Sequence, residues 1–120
     1  MDWLKIAGSM GFFGVALGAF GSHALKDRLS ADMLRSWNTG VRYHLIHAIA
    51  LMVLALYAKT SSTDIRWGGR FFLAGTILFS GSLYAMSLTG FKALGFITPL
   101  GGICFLMGWA WMVVKLSSRP

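Results

Sequence analysis

The sequence predicts an all-α fold, an integral membrane four-helix bundle with a short interfacial amphipathic helix between helices one and two. Three observations carry that prediction. Four stretches free of Asp, Glu, Lys and Arg, Ile6–Leu25, Tyr43–Ala58, Phe71–Phe91 and Ala93–Val114, run for 20, 16, 21 and 22 residues. A hydrocarbon core of about 30 Å is crossed by roughly 20 residues at about 1.5 Å rise, so these runs bracket a membrane span. Of 120 residues 56% are hydrophobic, and mean hydropathy is +0.64. Once the runs are set aside too little remains for a soluble core, so residues 1–120 read as a single transmembrane domain. Finally, no ten-residue alternation of apolar and polar positions marks a barrel, and lipid requires backbone amides to be satisfied within each segment, which leaves helices.

The first span, about 4–25, has Lys5 ahead of an apolar run, as a secretory leader does. That run exceeds an ordinary leader core and lacks a small-x-small cleavage site followed by a polar segment, so it is read as helix one. Next, Leu29, Met33 and Trp37 recur every four residues among Asp27, Arg28, Asp32 and Arg35. This spacing predicts the interfacial amphipathic helix, with Ser30 as its N-cap. The second span covers about 42–58. Lys59 to Arg70, opening with Thr60, Ser61, Ser62 and Thr63, reads as a polar loop. The third span covers about 70–90, followed by a tight connection near Gly90–Gly95. The fourth, about 97–115, starts with Thr98 placed as N-cap and Pro99 at the first helical position.

Eleven Lys and Arg against four Asp and no Glu give a net charge of +7, dispersed between the apolar runs. That distribution favours anionic lipid headgroups; with no basic stripe interleaved with aromatics outside the spans, nucleic acid is excluded as a partner. Four spans put both termini and the 59–70 loop on one side, with Lys5, Lys59, Arg66, Arg70, Lys115 and Arg119, against Lys26, Arg28, Arg35, Arg42 and Lys92 on the other. Six against five is a slight bias towards cytoplasmic termini and leaves dual insertion open. Cys104 is the single cysteine, so no intrachain disulfide forms and the residue reads as a small packing element. The tryptophans fall mostly near span ends, as interfacial anchors do; Trp37 alone lies close to the histidines.

In lipid, helices associate through close approach at small residues and through hydrogen bonds. Gly8, Gly11, Gly14, Gly18 and Gly21, spaced by three, three, four and three residues, give helix one such a stripe, and Gly101, Cys104 and Gly108 give helix four another. Helix three adds Gly75, Gly81 and Ser82. Packing within the bundle is the reading adopted; a homo-oligomer face is the alternative.

His23 closes the first span, whereas Tyr43, His44 and His47 open the second. All four therefore belong to one leaflet, where helix three ends with Tyr84, Ser87 and Thr89 and helix four begins. Closing the bundle gathers His23, Tyr43, His44, His47, Tyr84 and Thr98 into a partly buried polar cluster faced by a helix N-terminus, which is the candidate site. Structural hydrogen bonding, a bound metal, haem or quinone, and a proton path all suit such a cluster. For a metal, the histidines offer nitrogens but no nearby Asp, Glu or Cys completes the set, so the identity of any cofactor stays open. No nucleophile elbow, phosphate-binding glycine loop or acid pair is present, so no catalytic residue is assigned.

Four strings, GAFGSHALK at Gly18–Lys26, TGVRYHLIHAIAL at Thr39–Leu51, FSGSLYAMSLTG at Phe79–Gly90 and LGFITPLGGICFLMGW at Leu94–Trp109, resemble, in order, those of the family of domain of unknown function 423, small bacterial inner-membrane proteins to which eukaryotic transmembrane protein 256 is related. The resemblance covers nearly the whole chain. It implies four spans and a multi-pass protein of the bacterial cytoplasmic membrane, and it marks His23, Tyr43 and His47 as family positions but not His44. It supplies no activity. Three function classes remain. One is a non-enzymatic accessory or assembly component of a membrane complex, whose partners are lipids and either further copies of itself or other membrane subunits. Another is a haem-, metal- or quinone-binding protein using His23 and His47. The last is a small transporter, which would need histidine for coupling because Asp2, Asp27, Asp32 and Asp64 all lie outside the spans.

Overall fold

Helices begin where a side chain takes up the free amides of the first turn. The Asp2 carboxylate accepts from the Lys5 backbone N–H and starts α1 (Trp3–His23); the Ser30 hydroxyl accepts from Met33 N–H and starts α2 (Ala31–Ser61). The computed structural model describes residues 1–117, so Arg119, counted above for orientation, lies outside the described residues. α2 ends on Ser62 in the left-handed conformation at φ 55°. α3 (Arg66–Gly75), a π-helical stretch (Thr76–Ser80) and α4 (Gly81–Thr89) follow as one rod, closed by Gly90 at φ 73°. A 3₁₀ turn (Lys92–Phe96) leads into α5 (Thr98–Ser117).

Four of these units, Trp3–His23, Ala31–Ser61, Arg66–Thr89 and Lys92–Ser117, are long and apolar enough to cross a membrane. Their outward faces carry Phe12, Ile49, Ile77, Leu106 and Val113, all more than half exposed, which suits a surface bathed in hydrocarbon. The inward core centres on Leu51, Leu54 and Phe72, with Ala48, Ala55 and Phe105 beside them.

The separate interfacial helix expected between helices one and two does not form. Ser30 caps the segment as its spacing suggests, but the helix it starts is α2 itself, unbroken for 31 residues. Trp37 accounts for this. Its indole, 1% exposed, donates to the Leu17 carbonyl at 3.0 Å and packs on the Tyr84 ring at 4.7 Å, with Val41 and Leu25 beside it. A buried tryptophan with a satisfied N–H holds the first turns of α2 onto the bundle, in line with the rest of the helix.

Close helix approach depends on missing side chains. A Cβ placed at Gly14 would meet Leu45 and His44, one at Gly18 would meet Val41, and one at Gly21 would lie 2.5 Å from the Trp37 indole nitrogen. α1 therefore runs antiparallel to α2 with Gly14 level with His44 and Gly21 level with Trp37. By contrast, a Cβ at Gly8 or Gly11 meets nothing within 4 Å. Each three-residue step falls about 60° short of a full turn, so the stripe winds around the helix and its early members leave the α2 face. On the other side of the bundle α5 and the third rod interlock: Gly101 lies on the Phe79 backbone, Gly108 against Phe72, and Gly75 beneath the Phe105 ring.

Gly21→Ala should displace the Trp37 indole and cost about 1–3 kcal/mol, whereas Gly8→Ala, whose methyl meets open space, should not destabilise and should gain up to about 1 kcal/mol as a better helix former. Unfolding of both variants in mixed micelles, followed by tryptophan fluorescence, checks the contrast.

Candidate functional site

Polar groups lie along the inward face of α2, and three of them meet the third rod. Starting at the capped end, the Met33 carbonyl accepts from Ser87 at 3.0 Å and the Gly40 carbonyl accepts from the fully buried Ser80 at 2.7 Å. His44 Nδ1 lies 2.9 Å from the Tyr84 hydroxyl. Ser80, Tyr84 and Ser87 stand at i, i+4 and i+7 on the third rod, which is the spacing that keeps them on one face. Gly40 makes room for this, because a Cβ there would come within 2.9 Å of the Tyr84 ring.

His47, one turn beyond His44, is engaged on both ring nitrogens. Trp109 Nε1 donates to His47 Nε2 at 2.9 Å, and an indole N–H can only donate. Nε2 must therefore carry a lone pair, which places the proton on Nδ1, where it is donated to the Tyr43 carbonyl at 2.8 Å. The ring lies flat on Phe105, with centroids 3.6 Å apart and planes at 8°, and parallel to Tyr43 at 6.3 Å. This neutral imidazole is a helix-to-helix fastener, with no lone pair left for a metal.

Of the six residues grouped by sequence, the structure brings together four in two neighbouring pairs. His44 meets Tyr84, and His47 meets Tyr43. Thr98 is the first residue of α5; its hydroxyl meets Ser82 at 2.5 Å, tying α5 to α4 apart from the histidines. His23 is exposed at the end of α1. With Gly21 level with Trp37, it stands near residue 35 of α2, so His44 lies nine residues, or about 13 Å, deeper into the bundle. His44 and His47, 7% and 3% exposed, therefore sit near the middle of the bundle. Among the described residues no group of three or more His, Cys, Asp or Glu could hold a metal ion.

Sequence reasoning missed Trp109, Phe105 and the serine stripe. The sequence places Trp109 among the interfacial anchors, yet it stands mid-way along α5, where an indole N–H in hydrocarbon needs an internal acceptor. That requirement was the available signal. Ser80, Tyr84 and Ser87 were legible by spacing alone. The π-helical stretch Thr76–Ser80, flanked by Gly75 and Gly81, had no signal beyond Thr76, whose hydroxyl donates to the Phe72 carbonyl at 2.9 Å and competes with the regular ladder there.

A family described as protein of unknown function (DUF423) matches residues 17–102. Curated relatives include the UPF0382 membrane protein YwdK of Bacillus subtilis, 45% identical over 102 residues and covering 83% of each chain. The UPF0382 inner membrane protein YgdD of Escherichia coli is 41% identical over 112 residues, 92% of this chain and 86% of the relative. A UPF0382 membrane protein of Staphylococcus epidermidis is 40% identical over 100 residues, covering 83% and 82%. No solved structure matches the chain.

If His47 and Trp109 act as a pair, Trp109→Phe and His47→Phe should each destabilise the bundle, and the double variant by less than their sum. The coupling expected for an interhelical bond in a membrane is about 0.6–1.7 kcal/mol, read from a double-mutant cycle of unfolding in mixed micelles.

Proposed function

The chain belongs to the DUF423 family, and we propose that it is a non-enzymatic accessory or assembly component of a larger complex in the bacterial cytoplasmic membrane. It is an integral membrane protein, with four helices of spanning length and relatives named as membrane proteins. The observation that carries the finer reading is the division of labour among the glycines of α1. Gly14, Gly18 and Gly21 are used against α2, whereas Gly8 and Gly11 open onto the outside beside the exposed Phe12 and Val15. Small residues with nothing over them on a lipid-facing helix allow another helix to approach closely.

The interior supports the same reading. Every buried polar side-chain atom among the described residues has a hydrogen-bond partner, and the bonds of Ser80, Ser87 and Trp109 run between helices. Such a lattice fixes the outward shape of the bundle, as a docking component requires. A haem or metal held by His23 and His47 gains no support from this arrangement, because His23 is at one end and both His47 nitrogens are occupied.

In native membranes, crosslinking followed by native gels should recover the wild-type chain in a complex with a different membrane protein. Gly8→Leu and Gly11→Leu should weaken that complex at least tenfold while leaving thermal stability of the isolated protein within about 0.5 kcal/mol, the range of changes that touch nothing. Recovery of the wild type solely as free monomer or homo-oligomer would remove the proposal.

A further inference from the structure

A second outward feature lies on the same half of α1. Between α1 and the third rod is a lateral groove of about 390 Å³, open to the lipid, with Ile6, Phe13 and Ile77 among its walls, Lys5 at its rim and an edge of His44 at its floor. It runs from Lys5 to Phe13, eight residues or about 12 Å, close to the depth of one leaflet of a hydrocarbon core about 30 Å thick. Its far wall is the π-helical stretch, where Thr76 and Ile77 stand. Wide turns of this kind often mark functional positions in helices.

Two polar side chains in the groove, those of Lys5 and Ser9, have no partner among the described residues. Lys5 makes no ion pair among the described residues, since the two that form join Arg35 to Asp32 and Arg66 to Asp64, while the Asp2 carboxylate accepts from the Lys5 backbone rather than its ammonium group. One turn further along, the exposed Ser9 hydroxyl also lines the groove, and no hydrogen bond of it is formed among the described residues. A cation at the rim, a hydroxyl just below it and apolar walls for one leaflet's depth match an anionic headgroup carrying a long acyl chain.

We infer that this groove is a binding site for one anionic phospholipid of the leaflet on the side of the chain termini, its headgroup phosphate paired with Lys5 and Ser9 and one acyl chain lying along Ile6, Phe13 and Ile77 towards His44. The chain slots in from the membrane, so no opening motion is required. Lys5 supplies the selectivity, and the walls supply an affinity shared by any acyl chain. This site is independent of the assembly proposed above, because it uses the Lys5, Ser9 and Phe13 positions of α1 rather than Gly8 and Gly11.

The test is native mass spectrometry of the full chain in mild detergent, titrated with phosphatidylglycerol and with phosphatidylcholine of identical acyl chains. The wild type should retain one phosphatidylglycerol in preference to phosphatidylcholine. Lys5→Ala should lower that preference about fivefold, the weight of one basic residue at an anionic surface, and Lys5→Arg should preserve it. Ser9→Phe, which fills the groove from an exposed position, should remove the retained lipid of either class. Equal retention of the two lipids by the wild type, an unchanged preference in Lys5→Ala, or a stoichiometric prenyl quinone in place of phospholipid would overturn the assignment.

Discussion

A polar group placed in hydrocarbon must find its partner within the protein, and the rest of this structure follows from how α2 meets that demand. Water cannot satisfy His44 or His47 near the middle of the bundle, nor Trp37, which lies nearer the rim but is sealed off by burial, and lipid tails offer neither donor nor acceptor. Each is therefore tied to another helix: Trp37 to α1 through Leu17, His44 to α4 through Tyr84, and His47 to α5 through Trp109. Three bonds from one helix to three neighbours make α2 the centre of the bundle. Each bond is modest in strength, yet each accepts one rotation of the partner helix and rejects others.

These bonds are reachable because glycine brings the backbones close. Gly14 and Gly40 admit the His44 and Tyr84 rings, and Gly21 admits the Trp37 indole. α5 and the third rod use the same device with phenylalanine, Gly108 receiving the Phe72 ring and Gly75 the Phe105 ring, while Gly101 lies against the Phe79 backbone. The hydrophobic effect contributes little to such contacts in a bilayer, where leucine is as comfortable against lipid as against protein. Dispersion at short range and satisfied polar groups are what remain, and the two are mutually dependent here. A helix held away by one extra methyl would leave a buried nitrogen without its partner.

The unequal use of α1 links architecture to function. Its C-terminal glycines are committed to α2, while its N-terminal half keeps an open glycine pair and borders a groove rimmed by Lys5. Both outward features sit on the N-terminal half of α1, where the glycine stripe has wound off the α2 face while Ala7 and Met10 keep the helix itself packed in the core. Of α1, the family match covers only the end, from residue 17 onward.

The sequence by itself determined four helices, their order and their lipid surroundings, because length and apolarity are local properties that need no partner to be read. It also showed that Ser30 could cap a helix and that the glycines of α1 could approach something. What the tertiary structure decided was which neighbour each group meets. Whether Trp37 lies on the surface or inside depends on Leu17 and Tyr84, and whether His47 is a ligand or a fastener depends on Trp109, 62 residues away. His23 shared a span boundary with the other histidines in sequence, but depth along an antiparallel pair is set by where Gly14 and Gly21 lock onto α2, and that register placed His23 at the rim and the other two near the centre.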